Sequence, residues 1–374
     1  MGKLPKYFIS VSALLVLAGI LAVLIFVQFP ATLLALKKGS GDAIGSGRGA
    51  GEAREESGEE KKEIKAVEEE LPEKISLLFA GDIMLDRNVY LKVRAKDDYD
   101  FPFEKIGSVI ESADFFVANL EGPVTDNKSV SLEKDRMVFT FSPEFLPVLK
   151  KYFNAFSLAN NHTQNFGQKG LIVSRDYLSK SAIGYFGDPN NDEKNLSAVF
   201  EKNGFKIGFV GYHGLYRDEP EKVSKEIEKL RPDCDLIIIF PHWGIEYKRK
   251  PSASQEKEAR LFIDSGADLV IGSHPHVIQT VEEYKGKLIF YSLGNFIFDQ
   301  YFSKETMEGL TVGVDVFKLD GKLKIDYRII PITISKESQA ELAGEERKKE
   351  ILDWLAENSG VSEKIREEIK SGFF

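Results

Sequence analysis

Phe240-Pro241-His242-Trp243-Gly244 and, about thirty residues on, Gly272-Ser273-His274-Pro275-His276 are the segments that decide how this chain is read. The chain has five histidines, and three of them lie here. Each segment follows a short apolar run, Leu236 to Phe240 and Leu269 to Ile271. Runs rich in Ile, Val and Leu and bounded by turn residues read as buried strands. The histidines therefore fall where strands give way to loops, the place α/β sheets put their chemistry. His274 and His276 are two apart, and in an extended chain such residues point to one side. Pro275 fixes its own φ and pushes His274 towards extended geometry. The spacing thus predicts two imidazoles facing one point. Imidazole is a common ligand for zinc-like metals. Two polar surface histidines are the bland alternative, and the partners below weigh against it.

Working outward, other strand ends carry similar chemistry. Ile75 to Ala80 is a strand ending in Gly81-Asp82-Ile83-Met84. Phe115 to Ala118 ends in Asn119-Leu120-Glu121-Gly122-Pro123, and Ala155 to Ala159 in Asn160-Asn161-His162-Thr163. Phe205 to Val210 ends near His213, and Leu288 to Ser292 runs into Leu293-Gly294-Asn295-Phe296. Helices are expected at 103–112, 143–151, 168–180, 219–230 and 252–265. Thr311 to Leu319 and Lys322 to Thr333 alternate at period two around Asp320-Gly321, a hairpin signal. Alternating strands and helices followed by a hairpin predict an α/β fold, a mixed sheet with helices outside. Any one of Asp82, Glu121, Asn161, His162, His242, His274 and His276 has an ordinary explanation as a turn residue, helix cap or loop histidine. Together they form a carboxylate, amide and imidazole set suited to zinc, manganese or iron. His213 has no assigned role and reads as a hydrogen-bonded loop histidine.

The 374 residues carry a formal charge of −9, with 29% charged and 43% hydrophobic residues, an ordinary globular mix. Mild acidity argues against a nucleic-acid partner, which calls for a basic face. Cys234 is the single cysteine, which excludes an intrachain disulfide and a cysteine-cluster metal site. Phe8 to Val27 is free of charge and long enough to span a bilayer. The run is long for a signal peptide and no clear small-x-small cleavage site follows it, so residues 1–36 read as an uncleaved anchor. Residues 37–74 read as a linker. Gly39 to Gly51 is rich in Gly, Ser and Ala, and Glu52 to Lys74 sets ten Glu against five basic residues. Lys3 and Lys6 precede the span and Lys37 and Lys38 follow it, so flanking charge does not orient it. Residues 335–374 read as a tail with an amphipathic helix between Glu337 and Glu357 and a second from Glu363 to Lys370.

The strand-end motifs, in order from about Ile75 to Ile334, resemble those of the CapA family of bacterial capsule or poly-γ-glutamate synthesis proteins. That family is similar to calcineurin-like metallophosphoesterases. The resemblance implies a sandwich of two mixed sheets flanked by helices, behind one transmembrane helix, with a metal centre at one edge. Residue by residue, it implies that Asp82 binds a first metal and Glu121 bridges. Asn161 is a ligand and His162 the acid, His242 and His274 bind the second metal, and His276 binds the first. The centre would hold one or two divalent ions, Mn, Zn or Fe. Two departures stand out. Phosphoesterases usually carry a histidine two after the first aspartate, where this chain has Met84, and Glu121 replaces an aspartate. Arg87 and Asn295 are candidates for binding substrate, Arg87 through an anionic group.

Two functional classes follow. One is a metal-dependent hydrolase or transferase acting on a phosphoester or a surface-polymer linkage, with His162 moving a proton. The other is a non-catalytic metal-binding part of a membrane complex for polymer synthesis or export. Met84 favours the second, and His162, a histidine beyond the ligand set, favours the first. The anchor, the long tether and the family resemblance together predict a domain outside the membrane, with the N-terminus in the cytoplasm.

Overall fold

The structure, a computed structural model, describes residues 73–131, 136–216 and 219–373. The proposed anchor and almost all of the linker lie outside the described residues. Among the described residues no helix is long and apolar enough to cross a membrane.

Two mixed sheets face each other. The first contains β1 (Glu73–Ile83), β2 (Phe115–Leu120), β3 (Ala155–Ser157), β4 (Gly184–Phe186), β11 (Asn295–Ile297), β12 (Glu308–Leu319), β13 (Lys322–Ile334) and β14 (Ala340–Leu342). Its order is β14-β13-β12-β1-β2-β3-β4, with β11 also paired to β1. Strands β1 to β4 run parallel, and β12 to β14 are antiparallel. The second sheet contains β5 (Ser197–Lys202), β6 (Phe205–His213), β7 (Leu236–His242), β8 (Leu269–Ile271), β9 (Val281–Tyr284) and β10 (Lys287–Phe290), in the order β5-β6-β7-β8-β10-β9.

The central strands are apolar on both faces because both faces are covered. Ile75, Leu77 and Phe79 of β1 and Leu236, Ile238 and Phe240 of β7 point into one shared core between the sheets. The alternate residues Leu78 and Ala80 point outward to helices that contribute Val89, Val93, Leu149 and Leu178. Ile237 and Ile239 likewise meet Val223, Ile227, Ala259 and Phe262 on the other side. Period-two alternation therefore produces a helix–sheet–sheet–helix sandwich.

The expected hairpin is present as β12 and β13, and helices at 146–152, 167–180, 220–230 and 253–264 match their expected positions. The helix expected over 103–112 shrinks to Gly107–Ile110. A helix at Arg87–Lys96 was not expected, because only Val89 and Val93 mark its buried face. Strands β4, β5, β9, β11 and β14 were also not foreseen; β14 pairs with β13 inside the stretch expected as an amphipathic helix from Glu337, and that helix starts at Glu345. Helices Glu345–Asn358 and Glu363–Ser371 dock onto the sandwich, placing Ile351, Leu352, Leu355 and Ile369 in the inter-sheet core.

Candidate metal centre

The seven singled-out residues converge at one edge of the sandwich, at the carboxyl ends of β1, β2 and β3 in one sheet and β7 and β8 in the other. Strict alternation along β1 would aim Asp82 at the outer helices, with Leu78 and Ala80. The β1–β2 register shifts between Phe79 and Asp82, and such an irregularity re-aims a side chain. Asp82 consequently meets the second sheet. Its Oδ2 accepts the backbone N–H of His274 at 3.1 Å, and its Oδ1 accepts the Asn119 amide at 2.8 Å. Gly81 permits this approach, since a Cβ there would fall 1.8 Å from the Gly294 carbonyl oxygen.

The His-Pro-His segment differs from the extended geometry expected of it. His274 has φ +94° and His276 φ +56°, both in the positive range that non-glycine residues rarely adopt. The bond from His274 N–H to Asp82 and a second from Tyr247 N–H to the Pro275 carbonyl at 2.8 Å hold the loop coiled. Backbone strain of this kind costs roughly 1–3 kcal/mol per residue and persists where the surroundings enforce it. The imidazoles still converge, with ring centres 5.8 Å apart, and His274 lies 4.7 Å from His242.

The histidines are individually oriented. Asn295 uses its amide N–H₂ on the Thr306 carbonyl at 2.9 Å, which leaves its Oδ1 to accept from His276 Nδ1 at 2.9 Å. The Nε2 of His276 then points at Glu121 Oε1, 3.7 Å away. Asn295 is fully buried behind His276, so its contact is with the ring and not with the open face of the site. His242 Nδ1 lies 3.1 Å from Ser273 Oγ, and its Nε2 lies 2.8 Å from Oδ1 of the exposed Asn161. Asn160, next door, is consumed by structure. It donates to Asn119 and the Leu120 carbonyl and accepts from His162 and Thr163.

Asn165 Oδ1 accepts the Phe139 N–H at 2.6 Å and so also accepts from His162 Nδ1, 3.1 Å away. The free Nε2 of His162 lies 3.9 Å from Glu121 Oε1, and its ring rests on Phe139 at 4.3 Å. Arg87 packs toward the other side of this group. It makes a salt bridge to buried Asp299 at 2.8 Å, and its guanidinium lies 5.8 Å from the Phe139 ring. Met84 is fully buried among apolar side chains, with its sulfur taken by the Asp86 N–H at 3.1 Å.

Burial governs the protonation states. It pushes His162 down to about 4 and His274 to about 3, so both rings are neutral near pH 7. His242 is driven well below its ordinary value by burial and then by His274. Burial also acts to lower His276, but Glu121 and Asp82 outweigh it and hold the ring up to about 9. Burial, reinforced by Asp82 and Glu246, pushes the Glu121 carboxyl well above the carboxylate range.

Glu121 supplies the test of whether a cation fits. It is fully buried, and neither carboxylate oxygen has a hydrogen-bond partner among the described residues. The Nδ1 of His274, aimed into the same place, is also buried and unpartnered. An ion buried without adequate partners is unfavourable by several kcal/mol, and a divalent cation among these oxygens and nitrogens relieves that. Ligand atoms of Asp82, Glu121 and His276 all lie within 4.8 Å of one another, as do those of Glu246, His274 and His276. The donor set of carboxylate, amide and imidazole suits manganese, zinc or iron.

One nearby residue escaped the sequence reading. Glu246 belongs to the loop after Gly244 and had no periodic signal. His213, expected as a hydrogen-bonded loop histidine, has its Nδ1 2.7 Å from the Pro189 carbonyl; it packs 6.1 Å from His242, with a buried, unpartnered Nε2.

A two-sheet sandwich with clustered metal-type donors at one edge defines the class. The chain belongs to the family of bacterial capsule synthesis proteins known as PGA_cap, whose model matches residues 76–300. It is 30% identical over 250 residues to the capsule biosynthesis protein CapA of Bacillus anthracis, a match covering 61% of each chain. It is 29% identical over 311 residues to the PGA biosynthesis protein CapA of Bacillus subtilis, covering 78% of this chain and 80% of that one. A phosphatase from Mycoplasma pneumoniae superimposes with a TM-score of 0.45 and 19% identity, over 70% of this chain and 95% of that one.

Proposed function

We propose that this chain is a membrane-anchored, CapA-type protein of capsule or poly-γ-glutamate synthesis. Its domain is a divalent-metal-dependent hydrolase or transferase acting on a phosphoester or on a linkage of an anionic surface polymer. The observation that carries this is Glu121, a buried carboxylate without a hydrogen-bond partner, ringed by oriented histidines.

In this reading Asp82, Glu121, Asn161, His242, His274 and His276 hold the metal, and a cation bound there supplies Lewis-acid polarisation of a substrate oxygen. His162 does the proton work. Its Nδ1–H is committed to Asn165 and the ring is neutral, so Nε2 presents a lone pair to the centre. His162 would therefore take a proton from the attacking water or acceptor hydroxyl first and return it to the leaving group afterwards, where the family resemblance alone implied an acid. Asn295 fixes the His276 ring, and Arg87 holds Phe139 against His162 through its tie to Asp299. Lys248, Arg249 and Lys250, which follow Glu246 in sequence, put positive charge on the same loop for an anionic polymer. Residues 1–36 anchor the chain, residues 37–74 tether a domain at 75–334, and the domain lies outside the cell with the N-terminus in the cytoplasm. Its partners there are the membrane and the other membrane proteins of capsule synthesis.

The test is hydrolysis of generic phosphoesters and of γ-glutamyl polymer by the purified full-length chain with Mn²⁺, Zn²⁺ or Fe²⁺, beside His162→Ala. Metal-dependent turnover that His162→Ala loses while keeping its metal is the expected result. Absence of turnover under every metal, with capsule unaffected by His162→Ala in cells, would leave the non-catalytic reading in its place.

A further inference from the structure

We infer that Glu246 is a metal ligand of this centre, entering from the solvent side beside His274 and His276, in a site where Met84 stands in the place phosphoesterases usually give a histidine. The inference rests on the metal-centre reading above and adds a donor to it. Met84 itself is unavailable, because its sulfur is buried in the apolar layer and occupied by Asp86 N–H. A thioether is in any case a poor ligand for a hard cation, whereas a carboxylate is a good one. Glu246 offers a carboxylate oxygen within 4.8 Å of ligand nitrogens of both His274 and His276. The buried, unpartnered Nδ1 of His274 is an independent sign that a donor-seeking group belongs there.

The placement is built, although the side chain is exposed. Tyr247 N–H donates to the Pro275 carbonyl, between the two ligand histidines, at 2.8 Å. Gln279 Nε2 donates to the Lys248 carbonyl at 2.8 Å and to the Lys250 carbonyl at 3.3 Å. Gln255, which caps the helix Ala253–Asp264, donates in turn to Gln279 at 2.8 Å. Gly244 opens the turn with φ +91°, and a Cβ there would lie 2.5 Å from Gln255. The loop carrying Glu246 is thus fastened directly to the His-Pro-His segment and the chain after it. That holds residue 246 beside the two histidines of the segment.

The experiment is titration of the full-length chain with Mn²⁺ alone, followed by calorimetry and by Mn²⁺ electron paramagnetic resonance. Glu246→Gln is expected to lose one equivalent of Mn²⁺ or to bind it at least about tenfold more weakly, with an altered resonance spectrum. Glu246→Gln combined with Lys248→Gln restores the loop's net charge without restoring a ligand, and it is expected to stay weak. Recovery in that double variant, or unchanged stoichiometry, affinity and spectrum in Glu246→Gln, would overturn the inference. Wild-type protein that binds no Mn²⁺ at all would overturn the metal-centre reading beneath it as well.

Discussion

Replacing Glu121 with glutamine should separate stability from metal binding. The Glu121 carboxylate is 0% exposed and has no hydrogen-bond partner among the described residues, and buried Asp82 adds a second negative charge to the site. The imidazolium of His276, 3.7 Å away, offsets only part of this. Burial holds the Glu121 carboxyl well above the carboxylate range, so folding without metal near pH 7 either buries its charge or takes up a proton, and both are unfavourable. Glutamine keeps the volume and needs neither; such exchanges are often stabilising by about 1–4 kcal/mol, so metal-free Glu121→Gln should be the more stable protein by about that amount. At roughly 2 °C per kcal/mol for a domain of this size, the melting temperature in chelator rises by about 2–8 °C. With Mn²⁺ the order reverses. Wild type gains about 2.7 kcal/mol at a hundredfold excess over its dissociation constant, while the variant gains little. Scanning calorimetry of both proteins in chelator and in Mn²⁺ reads all four values. A variant less stable than wild type in chelator would refute the claim that this carboxylate is uncompensated without metal.

Three further outcomes can be checked. His276 keeps its proton up to about 9, above its ordinary value of 6.5, and a cation must displace that proton. Mn²⁺ affinity measured by calorimetry should therefore rise, by up to about tenfold per unit, between pH 6.5 and 9. Metal-free stability, complete below pH 6.5, should fall across the same window, and flat profiles would contradict the His276–Glu121 pairing. Asn295→Ala should weaken Mn²⁺ binding about 10- to 100-fold with little change in turnover at saturating metal, because Asn295 orients a ligand; equal affinity would remove that role. Leu355→Ala should lower stability by about 2–5 kcal/mol in urea unfolding, since Leu355 is fully buried in the inter-sheet core; a neutral result would mean the helix Glu345–Asn358 is not docked in solution.

The parts of the fold that were legible in the sequence are those written in strong periodicity. Central strands such as Leu236–His242, apolar on both faces, and the alternating β12–β13 pair stood out for that reason. The motif residues could be placed at strand ends because those strands were recognisable. The illegible parts depend on tertiary context. The register shift before Asp82 has only Gly81 as its mark in the sequence, and a glycine in a strand does not say which way the next side chain turns. Pro275 argued for an extended His274, but a hydrogen bond from its own N–H to an aspartate 192 positions away imposed positive φ instead. Asn160 and Asn161 look interchangeable in sequence; the fold buries the first in hydrogen bonds and leaves the second facing His242. Glu246 sits in a charged loop and reads as an ordinary surface residue until its loop is seen tied to Pro275.

The most direct test is a crystal structure of the protein grown with Mn²⁺, with anomalous scattering recorded at the manganese edge. One or two anomalous peaks are expected among Asp82, Glu121, Asn161, His242, His274 and His276, within bonding distance of the Glu121 carboxylate. Crystals that show no peak there, with Glu121 still buried and unpartnered, would contradict the metal centre and the proposed function built on it.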